Sequence, residues 1–151
     1  MTIMNPNSVL SFAIQPLTDW DSSSSIIPVI DERDLVDWIA EYERWHGFHM
    51  RGSYGGLRPG DYDVRPAEEY LMWDKAHGTP RERYLLGCSC GTAGCWPLFA
   101  TISLVDGLVT WDKFRQPFRP RQDYSSFGPF VFDVDQYVHA VREVLSRFRR
   151  G

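Results

Sequence analysis

Hydrophobic and polar positions divide the chain into a few recognisable elements. The run Ser8–Ile14 (SVLSFAI) is mostly apolar and stops before Pro16, which predicts a strand. The polar run Asp21–Ser25 (DSSSS) reads as a short linker. The spacing then becomes helical. Leu35, Val36, Ile39 and Tyr42 fall on one face, Asp31 is suited to be the N-cap, Glu32 and Asp34 favour the dipole of the first turn, and Gly47 suits a stop. This predicts a helix over Glu32–His46. Gly47–Pro66, rich in Gly and Pro with Tyr54 and Tyr62 between them, reads as a long loop. Pro66–His77 fits a short helix ended by Gly78, and its YLMW run fits a strand equally well.

The rest alternates strand and turn. RYLLGCSC turns through GTAG into CWPLFATISLV, Asp106-Gly107 marks a two-residue hairpin, and LVTWDKF follows. Pro117, Pro120 and Pro129 mark a loop, and Phe130–Phe132 is a short strand. The last element is a helix over Val134–Arg149, capped by Asp133. Tyr137, Val138, Val141, Leu145 and Phe148 form its apolar stripe. Antiparallel hairpins flanked by helices give an α+β layer. The expectation is a single globular domain, 1–151, with an antiparallel meander of about four strands and the two main helices packed on one face.

Composition supports a compact fold. The 151 residues are 43% hydrophobic and 15% aromatic, enough large side chains to fill a core without disulfides or metal. No apolar run reaches the ~20 residues of a membrane-spanning helix, and the N-terminus lacks a basic segment followed by an apolar one. The expected location is the cytoplasm, with reduced thiols, and the odd count of three cysteines also argues against a disulfide framework. The net charge is −4, unevenly spread: eight basic and sixteen acidic residues precede Lys113, whereas eight basic and four acidic follow from it onward. An acidic bulk argues against general binding to nucleic acid, which needs a basic face.

The three cysteines lie within eight residues, in LLGCSCGTAGCWPL. If Gly91–Gly94 forms the turn, Cys90 and Cys95 sit opposite each other, and Cys88 shares their face. Four readings stay open. The thiols pack as small hydrophobes. They bind zinc, with Cys88, Cys90, Cys95 and His77 as the leading ligand set and His46, His49 or an acid as other fourth ligands. Cys90 and Cys95 form a reversible disulfide. One thiol is a nucleophile, with His77 or His139 as its base. Zinc is the only cofactor candidate.

LLGCSCGTAGCWPL, DGLVTWDKFRQPFR and FGPFVFDVDQYVHAV together resemble a group of small bacterial proteins. The group has a Cys-Gly-x-x-Gly-Cys turn, a Val-x-Trp-x-x-Phe strand and a Gly-Pro-Phe-x-Phe-Asp-x-x-x-Tyr helix entry. The resemblance covers about Tyr84 to Val141. It implies a shared fold and carries over no activity. Some of those proteins have Cys-x-x-Cys before the turn where this chain has Cys-x-Cys.

No phosphate-binding glycine motif, nucleophile elbow or His-Glu-x-x-His is present. Lys113–Tyr124 gathers Arg115, Arg119 and Arg121 among Phe and Pro, a candidate edge for an anion or a partner, since Arg forks match carboxylate and phosphate. Interfaces favour Tyr, Trp and Arg, so Arg115, Arg119, Arg121, Tyr54 and Tyr62 are the candidate partner-binding residues. Trp111 is expected to pack in the core. The leading expectation is a non-catalytic binding or regulatory domain of the bacterial cytoplasm acting through a protein partner. One alternative is a zinc-binding or thiol-dependent enzyme built on Cys88, Cys90 and Cys95. The other is nucleic-acid binding through the Arg-rich C-terminal region. Oligomeric state is left open.

Overall fold

The computed structural model describes residues 7–18, 21–48, 54–57, 71–73, 78–88 and 96–150. Strands β1 (Leu10–Thr18) and β2 (Asp21–Ile30) form a long antiparallel hairpin in which Leu10 faces Ile30 and Ile14 faces Ile26. The DSSSS segment expected as a linker is therefore the first half of β2, with Ser25 opposite Gln15 and Ser24 opposite Pro16. Serine gives no hydrophobic alternation to read. The ladder to β1 satisfies its backbone instead.

Asp31 and Glu32 both have positive φ, 52° and 69°, and make a two-residue turn into β3 (Arg33–Asp34), which pairs with Val29 and Ile30. The helix α1 (Leu35–Trp45) thus starts three residues later than expected. Its N-cap is Asp34, whose Oδ1 accepts from the Asp37 amide at 2.8 Å, and not Asp31. Asp31 instead ties down the start of β1: its carboxyl accepts from Val9 N at 2.8 Å and its own amide donates to Val9 O at 2.9 Å. At the other end Gly47, φ 61°, follows the C-cap as the sequence predicts.

The second sheet runs β4 (Tyr54–Gly55), β5 (Arg81–Cys88), β6 (Leu98–Val105), β7 (Leu108–Arg115), β8 (Phe130–Asp133), each antiparallel to its neighbour. The Asp106-Gly107 turn between β6 and β7 has φ of 54° and 77°, the conformation its sequence signals. Strand β4 interrupts the expected Gly47–Pro66 loop, held there by backbone pairing to Gly87 and Cys88. Over 71–73 the chain is neither helix nor strand, and Leu71 has φ 64°. The closing helix α2 (Val134–Arg150) begins as expected, with Asp133 Oδ2 accepting from the amides of Asp135 and Gln136 at 3.1 Å.

The fold is α+β, but it has eight strands in two sheets in place of one four-strand meander. The expected meander, β5 to β8, sits within a curled five-stranded sheet. Single bridges join the two sheets at both ends. Ser8 N donates to Val131 O at 2.7 Å beside β8, and Ile26 and Leu57 exchange two backbone bonds, 2.7 and 3.0 Å, beyond β4. Each bridge thus carries the strand path from one sheet to the other. The helices lean on different strands: α1 packs on β2 and β3, and α2 on β1, β7 and β8. Both reach the same side of β8, Trp38 of α1 against Phe130 and Tyr137 of α2 against Phe132.

One core fills the interior, drawing Leu10, Ile26, Leu86, Ile102, Trp111 and Phe132 from both sheets. Trp111 is fully buried, as its sequence position suggests. Its Nε1 donates to Tyr137 Oη at 3.0 Å, and Tyr137 donates on to Leu71 O. Together with Arg83 Nε donating to Met72 O at 2.9 Å, this pins the 71–73 segment to the sheet. Among the described residues, no helix is long and apolar enough to cross a membrane.

Candidate functional site

The proline-punctuated connection from Gln116 to Pro129 joins β7 to β8, and α1 lies against it. A buried chain of hydrogen bonds fixes the contact. Tyr54 on β4 donates to Tyr124 Oη at 3.2 Å, and Tyr124 donates to Glu43 Oε2 on α1 at 2.6 Å. Glu43 is only 1% exposed, so both the carboxyl group and the two phenols are sealed from water. Tyr42, the preceding residue, donates to Asp123 O at 2.7 Å and lies 2.8 Å from Ser126 Oγ. Its ring stacks on His46 at 4.0 Å on one side and lies parallel to Tyr124 at 5.9 Å on the other.

Burial pushes the phenols of Tyr54, Tyr124 and Tyr137 well above the usual tyrosine range, and the bond to Glu43 adds to this for Tyr124. The folded value exceeds the unfolded one. The stability linked to these groups is therefore intact below about pH 10 and is lost as pH rises past it. In an alkaline titration followed by tyrosinate absorbance, three of the seven tyrosines are expected to ionise only as near-ultraviolet dichroism collapses. Smooth ionisation of all seven in a folded protein would contradict the burial.

Beside this network an open groove of about 450 Å³ runs between α1 and the 126–130 segment. Trp38, Tyr42, Trp45 and His46 form one wall, and Phe127, Gly128, Pro129 and Phe130 form the other. Trp38 packs edge-on against Phe130 at 5.4 Å, while Trp45 is 80% exposed. Three polar atoms of this wall are engaged internally. Trp38 Nε1 donates to Ile30 O at 3.0 Å, Tyr42 Oη is held by the connection, and His46 Nδ1 lies 3.0 Å from Tyr42 O. Glu41 pairs with Arg33, whose guanidinium holds that carboxyl below the usual range and also lies 5.0 Å over the Trp38 ring. The groove therefore offers aromatic faces, with few hydrogen bonds to spare.

The residues singled out from sequence fall into separate groups. Tyr54, Cys88 and Arg119 are brought close together: Tyr54 pairs with Cys88 across the strands, its ring lies 6.4 Å from Trp96, and the Arg119 guanidinium sits 4.4 Å over that indole. Cys88 is buried. Arg115 lies apart, bound through Nε and Nη2 to Glu82 at 2.5 Å and over Phe99 at 5.1 Å. Arg121 is exposed. His139, named as a base for a thiol, is exposed on α2, 3.8 Å from Glu143. Cys90, Cys95, His77, Tyr62 and His49 lie outside the described residues. Among the described residues no group of three His, Cys, Asp or Glu side chains is placed to hold a metal.

Of the groove residues, Trp38 and Trp45 escaped the sequence reading, and Tyr42 and His46 were named only for the helix face and as a spare zinc ligand. Trp38, Tyr42 and Trp45 are spaced by four and then three, an aromatic ridge adjoining the Leu35–Ile39 stripe. That spacing was the available signal. Glu43 and Tyr124 have none, since only the fold joins them. Comparison with family models, with curated proteins and with solved structures finds no match to this chain.

Proposed function

We propose that this protein is a non-catalytic recognition domain whose groove between α1 and the 126–130 segment binds an extended, proline-bearing stretch of a partner protein. The observation that carries this reading is an open aromatic trough in which Trp38 Nε1, Tyr42 Oη and His46 Nδ1 are already engaged. A β-strand or a helix end buried there would leave backbone donors and acceptors without partners. A polyproline-type segment has no N–H at its prolines, and over an open groove its carbonyls stay turned to solvent, so its rings dock on Trp and Tyr faces at little polar cost. Committed side chains also supply no poised nucleophile and base, which favours binding over catalysis.

The test is selection from a displayed random peptide library on the full chain, counter-selected on Trp45→Ala. Enriched peptides are expected to carry prolines and to bind Trp45→Ala about tenfold more weakly or worse. The same variant is expected to keep its unfolding free energy within about 0.5 kcal/mol, because Trp45 is almost fully exposed. Peptides that bind both forms equally, or no enrichment, would refute the reading.

A further inference from the structure

We propose that Trp96, Gln116 and Arg119 form a second binding subsite, separate from the groove, that takes a carboxylate. Trp96 Nε1, Gln116 Nε2 and Arg119 Nε are all buried, and none makes a hydrogen bond of good geometry, Trp96 Nε1 having only the Tyr54 phenol nearby. Gln116 is 2% exposed. Its orientation is fixed: Oε1 accepts from Phe118 N at 2.7 Å, so the other terminal atom must be the amide nitrogen. The three residues are linked in space. Arg119 N donates to Gln116 O at 3.1 Å, closing the turn, and the Arg119 guanidinium lies 4.4 Å over the Trp96 ring.

Buried donors without partners are costly, and three around one turn call for an occupant. All three are donors, which narrows its chemistry. A water bound there would accept some of these bonds but would bring two protons needing acceptors of their own. A carboxylate accepts about four bonds and donates none, and it matches the planar Arg fork. Charge agrees. Arg119 makes no ion pair among the described residues, so its charge is free for a carboxylate. Trp96 and Arg119 are partly exposed and Phe118 is 61% exposed, so the buried donors lie just beneath the surface and an occupant reaches them by displacing the Arg119 and Phe118 side chains. The carboxylate comes either from a free organic acid or from the C-terminus of a polypeptide.

The test follows the Trp96 indole N–H and the Arg119 Nε–H in proton–nitrogen correlation spectra of the full chain. Sodium acetate is added at constant ionic strength, with sodium chloride and acetamide as controls. A capped tetrapeptide with a free C-terminus, and the same peptide amidated, form the second arm. Saturable shifts of both signals with acetate, and none with acetamide or chloride, are expected. Tighter binding of the free-ended peptide than of acetate assigns the site to a polypeptide terminus, and the reverse assigns it to a small acid. Arg119→Gln is expected to weaken binding about tenfold or more, and Arg142→Gln, an exposed arginine on α2, to leave it unchanged. Should Arg119→Gln fail to fold, Gln116→Glu serves. It keeps the acceptor for Phe118 N, replaces the donor with a carboxylate oxygen, and is expected to abolish acetate binding. Equal shifts with acetamide, no saturable shift with any carboxylate, or binding unaffected by Gln116→Glu would overturn the proposal.

Discussion

Gly56→Ala is expected to cost about 3 kcal/mol, near the upper end of what overpacking usually costs. A Cβ there would stand 2.5 Å from Ser25 Oγ, 2.8 Å from Ser25 Cβ and 2.9 Å from Ile26 O. The hydroxyl can turn away, but Ser25 Cβ and the Ile26 carbonyl cannot move alone. That carbonyl accepts from Leu57 N at 3.0 Å in the bridge that joins the two sheets beyond β4. Relief of the clash therefore means opening the bridge and shifting Tyr54, two residues away, off its bond to Tyr124. Denaturant unfolding measures the loss. The double variant Ser25→Gly/Gly56→Ala is expected to regain roughly half of it, less the ~0.5–1 kcal/mol that glycine costs within a strand. A neutral Gly56→Ala would mean that the sheets are not closed at this point.

Tyr124→Phe is expected to cost a similar amount, about 3 kcal/mol, or roughly 6–12 °C in Tm for a chain of this size. The phenol donates to Glu43 and accepts from Tyr54, so its loss leaves a buried carboxyl short of a donor and a buried hydroxyl short of an acceptor. The ring remains to pack against Tyr42 at 5.9 Å and Phe48 at 5.3 Å, which isolates the polar contribution. Tyr54→Phe removes only the outer donor and is expected to cost less. If the two substitutions prove equal, Glu43 does not depend on Tyr124.

Much of this architecture is legible in the chain, and the misses have physical causes. The helix α2 has a cap, an acidic first turn and an apolar stripe that agree, and its start is where they place it. Asp106-Gly107 specifies its turn by backbone conformation alone. Asp31 misleads because two acidic residues, Asp31 and Asp34, both suit an N-cap. Only the pairing of Arg33–Asp34 with β2 decides between them. Strands β2 and β4 are hidden because the polar run Asp21–Ser25 and a Gly-rich loop become strands through their partners, not their own pattern. At the candidate site, Tyr54 and Arg119 could be named in advance as interface-type residues. Glu43 and Gln116 could not. A buried glutamate and a buried glutamine look like surface residues until the fold closes over them.

The most direct test of partner recognition by the groove is amide and indole shift mapping of the full chain with a capped oligoproline peptide. The expected result is saturable perturbation centred on Trp38, Tyr42, Trp45 and the 126–130 segment, lost in Trp45→Ala. A spectrum in which the groove stays silent, or in which shifts centre on another surface, would contradict it.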